Sequence, residues 1–248
     1  MRTYKTILDA LNETSRDLKV RSITTICKSY QDKKLEGENQ KVKELIGVEF
    51  CITNPLLKRD SAIEYMFKDK EESKKIIEYC KQEIKDRCSG SPLNPGNSYK
   101  IRKDMWQKFL EDSGKFSYQY AERLWTNDQF NSVVKCLIND SGTRQAVLSV
   151  WNSDKDMNVS KTGGGNRIPC SLNYQFFIRN NELHCIYSMR SNDFFGHHVI
   201  DLYCASGLME YIVDRIKCIY PGLKVGSLIY SCGSLHAFAW DIDKWVLF

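Results

Sequence analysis

Long apolar runs, signal-peptide features and metal-ligand clusters are all absent from this sequence. No stretch approaches the roughly 18 consecutive apolar residues that a membrane-spanning helix needs, and the N-terminal segment lacks the apolar core of a signal peptide. Only four histidines occur, and the adjacent side chains of His197 and His198 should point in different directions. The sequence therefore predicts no membrane association, no metal site and a cytoplasmic location.

The ten cysteines lack the spacing of a disulfide framework or a zinc motif. They are spread between Cys27 and Cys232 without the short paired intervals that such frameworks use. We expect a reducing compartment in which most of these thiols are structural. One of them, discussed below, is expected to be reactive.

Charge is too weak and too dispersed for a nucleic-acid-binding surface. The net charge is +5, and many lysines lie on helix-like stretches, for example Lys74, Lys75, Lys81 and Lys85. A nucleic-acid interface needs a basic stripe with interleaved aromatic residues, which this sequence lacks. We therefore expect no nucleic-acid partner, whereas a small anion such as phosphate needs only two or three well-placed arginines.

Periodicity predicts a single α+β domain over residues 1–248, without repeats or low-complexity tracts. Helices are predicted over residues 4–19, 60–87, 106–110, 118–125, 130–138 and 199–216. Strands are predicted over residues 21–29, 46–53, 145–151, 171–179, 182–190, 224–231 and 237–240. Asn180-Asn181 is a hairpin signal between two of these strands. Residues 89–98 and 153–166 are predicted loops because they are polar and contain glycine.

The most informative stretch covers residues 168–203. Cys170 follows a proline at the start of a predicted strand, residues 190–193 read Arg-Ser-Asn-Asp at the end of the return strand, and Asp201 enters a long helix. Further along, residues 226–228 read Gly-Ser-Leu and residues 233–236 read Gly-Ser-Leu-His.

This order of motifs resembles the thymidylate synthase superfamily. Its members carry Pro-Cys, a glutamine five residues later, a hairpin, Arg-Ser-x-Asp, and a pyrimidine-reading residue eight positions after that aspartate. The sequence supplies Cys170, Gln175, residues 190–193 and Asp201 at those places. Over roughly residues 100–240, the resemblance implies a thymidylate synthase-like mixed β-sheet packed by helices, a homodimer, and a pyrimidine nucleoside monophosphate and a folate as partners.

The resemblance also implies a role for each matched residue. Cys170 is expected to add to carbon 6 of the pyrimidine, so that carbon 5 can attack a one-carbon donor, 5,10-methylenetetrahydrofolate. Arg190 can stabilise the thiolate and bind the phosphate. Trp106 is the expected folate contact, with a core aromatic as the alternative. The expected substrate-binding residues are Arg144, Arg190, Ser191, Gln175, Asn192, Asp193, His236 and Tyr120.

Two expected roles remain open between alternatives. The family uses a glutamate on an early helix to organise water and proton transfers. Glu78 matches this glutamate best and Glu64 is a rival. A third possibility is that neither residue has this role. Arg144 stands where the family has two consecutive arginines lent across the dimer, but Thr143 replaces the first. The alternative for Arg144 is a surface arginine that has no role in substrate binding.

Asp201 carries the prediction about the substrate. Thymidylate synthases have asparagine there, whereas the phage deoxycytidylate hydroxymethylases have aspartate. A carboxylate can accept a hydrogen bond from the exocyclic amine of cytosine, so we expect a cytidylate hydroxymethyltransferase. The alternative role of Asp201 is a helix cap.

Two other functions remain open. One is a thymidylate synthase or cytidylate methylase. The other is an inactive nucleotide-binding homologue, because Thr143, Ala121 and Phe238 depart from the family pattern. Phe238 stands where the family has a sugar-contacting tyrosine, which leaves ribose and deoxyribose both open.

Overall fold

One seven-stranded sheet organises the chain, in a computed structural model that describes residues 1–30, 33–161 and 167–241. The strands are β1 (Arg2–Tyr4), β2 (Ile23–Ile26), β3 (Ser29–Tyr30), β4 (Lys33–Lys34), β5 (Lys41–Ile52), β6 (Val147–Ser149), β7 (Ser171–Arg179), β8 (Glu182–Asp193) and β9 (Lys224–Phe238). The α-helices are α1 (Ile7–Arg21), α2 (Arg59–Met66), α3 (Lys70–Arg87), α4 (Ser98–Ile101), α5 (Lys103–Trp106), α6 (Tyr120–Trp125), α7 (Gln129–Asn139), α8 (Ser153–Lys161) and α9 (Val199–Ile216). Short 3-10 turns cover Gly37–Gln40, Gln107–Phe109 and Thr126–Asp128, and a π-helical turn covers Phe194–His198.

The sheet is mixed, as the resemblance implies. Its strand order is β1-β5-β9-β8-β7-β6, with β2 paired to β5, while β3 and β4 pair separately. Strands β8 and β9 are parallel, whereas β7 pairs antiparallel with β8. The predicted hairpin turn is present: Asn180 and Asn181 have φ values of 51° and 60°, a left-handed conformation that asparagine tolerates well.

Strand β9 differs from the prediction, because residues 224–238 form one continuous strand where two were expected. Gly233 lies in the gap that was expected between the two strands, and this glycine serves close packing. A Cβ atom there would lie 2.8 Å from the backbone oxygen of Arg190. Pairing with β5 and β8 keeps the strand continuous through this point.

The predicted loop over residues 153–166 is wrong for residues 153–161, which form α8; residues 162–166 lie outside the described structure. Asn152 and Asp156 start this helix: the Asn152 side chain accepts from the Lys155 amide at 3.0 Å, and the Asp156 carboxylate accepts from the Asn152 amide at 2.8 Å. Asp156 also forms a buried ion pair with Arg123 of α6. Tertiary contacts therefore stabilise a helix whose own periodicity is weak.

Helix α9 is buried along most of its length and packs against α3 and the sheet. The approach to α3 is close, since a Cβ atom on Gly207 would lie 2.2 Å from Cδ1 of Ile84. The middle of α9 and the last turns of α3 therefore pack directly against each other. No helix within the described ranges is long and apolar enough to cross a membrane.

Candidate active site

A cavity of about 370 Å³ lies between α3, the start of α9 and the ends of β8 and β9. Most of the predicted site residues line it: Tyr120, Trp106, Cys170, Arg190, Ser191, Asn192, Asp193, Asp201 and His236. Residues to which the sequence assigned no role in the site also line it, among them Glu83, Arg87, Ser98, Tyr118, Arg167 and His197. Residues far apart in the chain thus converge on one pocket.

Cys170 lies directly before β7, with Arg190 beside it. The Arg190 guanidinium donates to the backbone oxygens of Pro169 at 2.8 Å and Ile168 at 3.2 Å, and its Nη2 lies 3.7 Å from the Cys170 Sγ. Burial raises the pKa of the Cys170 thiol, while the positive charge of Arg190 opposes that rise. Arg190 is therefore placed to stabilise a Cys170 thiolate.

Asp201 is a buried carboxylate, with 7% of its surface exposed. It lies in the first turn of α9, whose N-cap position is occupied by His198, so the alternative role as an N-cap does not fit. Burial raises the pKa of Asp201 to about 7, although Arg87 and a hydrogen bond from Asn192 lower it. Near neutral pH this carboxyl group can therefore either carry or release a proton.

The end of β8 fixes the side chains of Asn192 and Asp193. The Asn192 amide nitrogen lies 3.1 Å from the Tyr230 hydroxyl. The Asp193 carboxylate accepts from the Gly196 amide at 3.1 Å and begins the turn that leads into α9. Asp193 thereby determines how β8 is joined to the helix that carries Asp201, whereas Asn192 is held against β9.

The expectation that Glu78 is the site glutamate is not supported by its position. Glu78 lies on the exposed side of α3 and the rival Glu64 is exposed on α2, whereas Glu83 is 2% exposed and lines the cavity. Five residues along a helix add about 140° of rotation beyond one full turn, which separates Glu78 from Glu83. A signal for Glu83 existed, because it continues the buried spacing of Ile76, Tyr79 and Cys80.

Trp106 lies at an aromatic and cationic end of the cavity. Its ring stacks on His197 with centroids 5.7 Å apart, and the Arg167 guanidinium lies 4.6 Å from its centroid. Burial lowers the pKa of His197 to about 3, so this imidazole is neutral at physiological pH. A flat ring with anionic substituents fits such surroundings.

Arg144 and Gln175 lie outside this cavity. Arg144 is exposed, and the Gln175 side chain donates to its backbone oxygen at 2.9 Å. Along β7, Tyr174 and Phe176 are buried toward the helices, so Gln175 between them faces the opposite side of the sheet. Its position therefore does not support the expected direct contact with substrate in the same subunit, because the strand alternation turns the side chain away from the cavity.

The three departures from the family pattern occupy packed positions. Ala121 is fully buried and Phe238 is 2% exposed, with its ring stacked on Trp240 at 4.4 Å. Thr143 is buried, and its hydroxyl accepts from the Gln145 amide at 3.1 Å. These side chains are part of the packed fold.

Comparisons with known proteins agree with this fold. A family model described as thymidylate synthase matches residues 96–246. A protein of Methanococcoides burtonii whose name proposes a thymidylate synthase is 32% identical over 138 residues, which are 54% of this chain and 58% of that protein. The deoxycytidylate 5-hydroxymethyltransferase of Enterobacteria phage T6 is 23% identical over 215 residues, which are 83% of this chain and 80% of the phage protein. Thermostable thymidylate synthase A from Bacillus subtilis has the same fold, with a TM-score of 0.66 at 15% identity, over 98% of this chain and 83% of that one.

The fold and the family match define the class as proteins with the thymidylate synthase fold. The matched region exceeds half of the chain, and the chain belongs to the thymidylate synthase family. Members bind pyrimidine nucleoside monophosphates and use methylenetetrahydrofolate as the one-carbon donor. The expected fold is confirmed.

The buried Asp201 generates a prediction about stability. Its pKa is raised from 3.8 to about 7, so its contribution to the free energy of unfolding is fully present below pH 3.8 and is lost as pH rises to about 7. Asp201→Asn removes this pH-dependent decrease in the free energy of unfolding, which is on the order of a few kcal/mol. The melting temperature of the variant minus that of the wild type should therefore increase from pH 4 to pH 8.

Thermal unfolding followed by circular dichroism over this pH range measures the difference. The matched control is Asp112→Asn, because Asp112 is exposed to solvent. A difference for Asp201→Asn that does not change with pH would contradict a raised pKa.

Proposed function

We propose that the protein is a folate-dependent hydroxymethyltransferase that acts on carbon 5 of a cytidylate. The observation that carries this proposal is the buried carboxyl group of Asp201 in the same cavity as Cys170 and Arg190. The phage relative named as a deoxycytidylate 5-hydroxymethyltransferase supports the same substrate class.

In the proposed mechanism, Cys170 bonds to carbon 6 of the pyrimidine, and the electron pair moves onto the ring so that carbon 5 becomes nucleophilic. Arg190 stabilises the thiolate before this step and is also the proposed phosphate ligand. The neighbouring Ser191 and the half-buried His236 are the proposed ligands of phosphate and sugar. Burial lowers the pKa of His236, which favours the neutral ring that binds a hydroxyl group.

Asp201 is the proposed base-reading residue. A carboxylate oxygen accepts from the exocyclic amine of cytosine, while a proton on the second oxygen can be donated to ring nitrogen 3. The pKa of about 7 makes that shared proton accessible at neutral pH. Asn192 contributes to this arrangement through its hydrogen bond to Asp201.

Glu83 is the proposed residue for water and proton transfers. It replaces Glu78 in this role because it is the cavity-lining glutamate of α3. In a hydroxymethyltransferase, water must add to the methylene group on carbon 5, and a fixed carboxylate can accept the proton of that water.

Methylenetetrahydrofolate supplies the one-carbon unit when it is bound. The residues proposed to hold it are Trp106, Arg167 and Tyr118, because they form the aromatic and cationic end of the cavity. The Arg167 guanidinium lies 5.2 Å from the ring centroid of Tyr118. An aromatic heterocycle with a carboxylate tail matches this chemistry.

The competing function is methylation, as in a thymidylate synthase. The relative whose name proposes that activity supports this alternative. Incubation of the protein with methylenetetrahydrofolate and each of CMP, dCMP, UMP and dUMP separates the two, with product masses as the readout. We expect a cytidylate to gain CH2O, because Asp201 selects cytosine and water completes the reaction.

A gain of CH2 indicates methylation, and the absence of any product with all four nucleotides supports an inactive homologue. Cys170→Ala is the control variant. It should give no product and no release of tritium from carbon 5, while it keeps the melting temperature of the wild type. Release at the wild-type rate would remove Cys170 from the mechanism.

A second prediction concerns base selection by Asp201. Facing uracil, the ionised carboxylate meets a carbonyl oxygen, so uridylates should be poor substrates by on the order of a hundredfold or more. Asp201→Asn should lose activity on the cytidylate and gain relative activity on the uridylate, since the amide can donate to that carbonyl. The measurement is the ratio of kcat/KM for the two nucleotides in both proteins. An equal ratio in wild type and variant would contradict this role.

Arg144 is the proposed phosphate ligand of a second subunit, because it is exposed and lies outside the cavity of its own chain. Mixing Arg144→Ala with Cys170→Ala after mild unfolding and refolding should then produce active heterodimers, since one of their two sites has both intact residues. Each variant alone should have little activity. Absence of recovered activity in a mixture that sediments as a dimer would place Arg144 outside the site.

A further inference from the structure

Arg87 is a buried arginine at the base of the cavity, and its role is not among those assigned above. It lies on α3 one helical turn after Glu83, and 3% of its surface is exposed. Its Nε donates to Oε1 of Glu83 at 2.9 Å, and its Nη1 donates to the Tyr174 hydroxyl at 3.2 Å. The guanidinium also lies 4.5 Å from the ring centroid of Tyr120. A guanidinium held by three groups in a buried position has a fixed orientation.

This arginine fixes the orientation of the Glu83 carboxylate. One oxygen of Glu83 accepts from Arg87, and the other accepts from the Ser98 hydroxyl at 2.6 Å. Ser98 is itself held by its backbone amide, which donates to Asp86 at 2.7 Å. Both oxygens of Glu83 therefore have defined partners in the described structure.

The same arginine connects α3 to the strand that follows Cys170. The ring of Tyr174 stacks on that of Tyr187 with centroids 4.4 Å apart. The Tyr187 hydroxyl lies 2.6 Å from Oγ of Ser171, the residue next to Cys170. The position of Arg87 thus couples the carboxylate on α3 to the start of β7.

Two carboxyl groups, those of Glu83 and Asp201, lie near Arg87. Glu83, Tyr174, Tyr120, Tyr187 and Cys204 face Arg87. Asp201 is faced by Arg87, Glu83 and Asn192; Arg87 lowers its pKa, whereas Glu83 raises it. Arg87 is hydrogen-bonded to only one of the two carboxyl groups, Glu83.

We propose that Arg87 is a positioning residue, which holds the Glu83 carboxylate in its catalytic orientation and places a fixed positive charge near Asp201. This inference rests on the proposed function, in which Glu83 and Asp201 have different tasks. Two nearby carboxyl groups with different surroundings can serve as base and acid in one reaction. Arg87 makes their surroundings different, because it is hydrogen-bonded to Glu83 and acts on Asp201 only through its charge.

The first test needs no substrate. The titration of the Asp201 carboxyl carbon is followed by carbon-13 NMR in the ligand-free protein and assigned with Asp201→Asn. In Arg87→Gln the pKa of Asp201 should rise by about one unit or more, because a nearby positive charge that favours the ionised form is lost. This measurement tests Arg87 even if no nucleotide is turned over.

The second test is the pH profile of kcat on the cytidylate. Arg87→Gln should lower kcat by about a hundredfold or more and shift to higher pH the limb of the profile that follows the Asp201 titration. Arg87→Lys keeps the charge but cannot bond Glu83 and Tyr174 in the same geometry. In Arg87→Lys that limb should therefore stay in place while kcat falls.

Arg123→Gln is the matched control, because the Arg123–Asp156 pair is equally buried but lies between α6 and α8. It should lower the melting temperature and leave both the Asp201 titration and the pH profile unchanged. The proposal is overturned by an unmoved Asp201 titration in Arg87→Gln, or by the same shift in Arg123→Gln. If Arg87→Gln does not fold, Arg87→Lys decides, and a wild-type kcat in that variant overturns the positioning role.

If the wild type turns over none of the four nucleotides while the Asp201 titration shifts as expected, the proposed function fails and the electrostatic role of Arg87 stands. If the wild type is active and Arg87→Gln leaves the Asp201 titration unchanged, the proposed function stands and the role of Arg87 fails. The two failures are therefore distinguishable.

Discussion

The parallel pairing of β8 and β9 is the constraint on which the site depends. It aligns Ser191 with Ser234 and Asp193 with His236, so two stretches far apart in the chain end at the same side of the cavity. Gly233 permits the close approach, because any side chain there would collide with the Arg190 backbone. Without this register, Arg190 and His236 would not line the same cavity.

Burial is the second determinant of the chemistry, because it acts on each ionisable group according to its neighbours. The Cys170 thiol and the Asp201 carboxyl group are both shifted toward their neutral forms. Arg190 opposes this effect at Cys170, and Arg87 opposes it at Asp201. Two arginines in one cavity thus serve different partners, and neither is interchangeable with a surface cation.

The cavity also has a polarity along its length. Arg190, Ser191 and His236 lie at the ends of β8 and β9, whereas Trp106, Arg167 and His197 form the aromatic end. Under the proposed function, the nucleotide occupies the first region and the folate occupies the second. The Cys170 thiol lines the same cavity, as a reaction between two bound molecules requires.

The sequence by itself determined the order of the chemical groups. The spacing from Cys170 to Asp201, the Asn180-Asn181 hairpin and the long helix 199–216 are local patterns, and local patterns are readable because neighbouring residues set strand alternation and helical periodicity.

Only the tertiary structure decided which carboxylate on α3 enters the cavity, which side of the sheet Gln175 faces, and whether Gly233 breaks a strand. These outcomes depend on contacts between distant segments: α3 against α9, β7 against β8, and β9 against Arg190. The helix at residues 153–161 belongs with them, since the buried Arg123–Asp156 pair stabilises what its own periodicity does not.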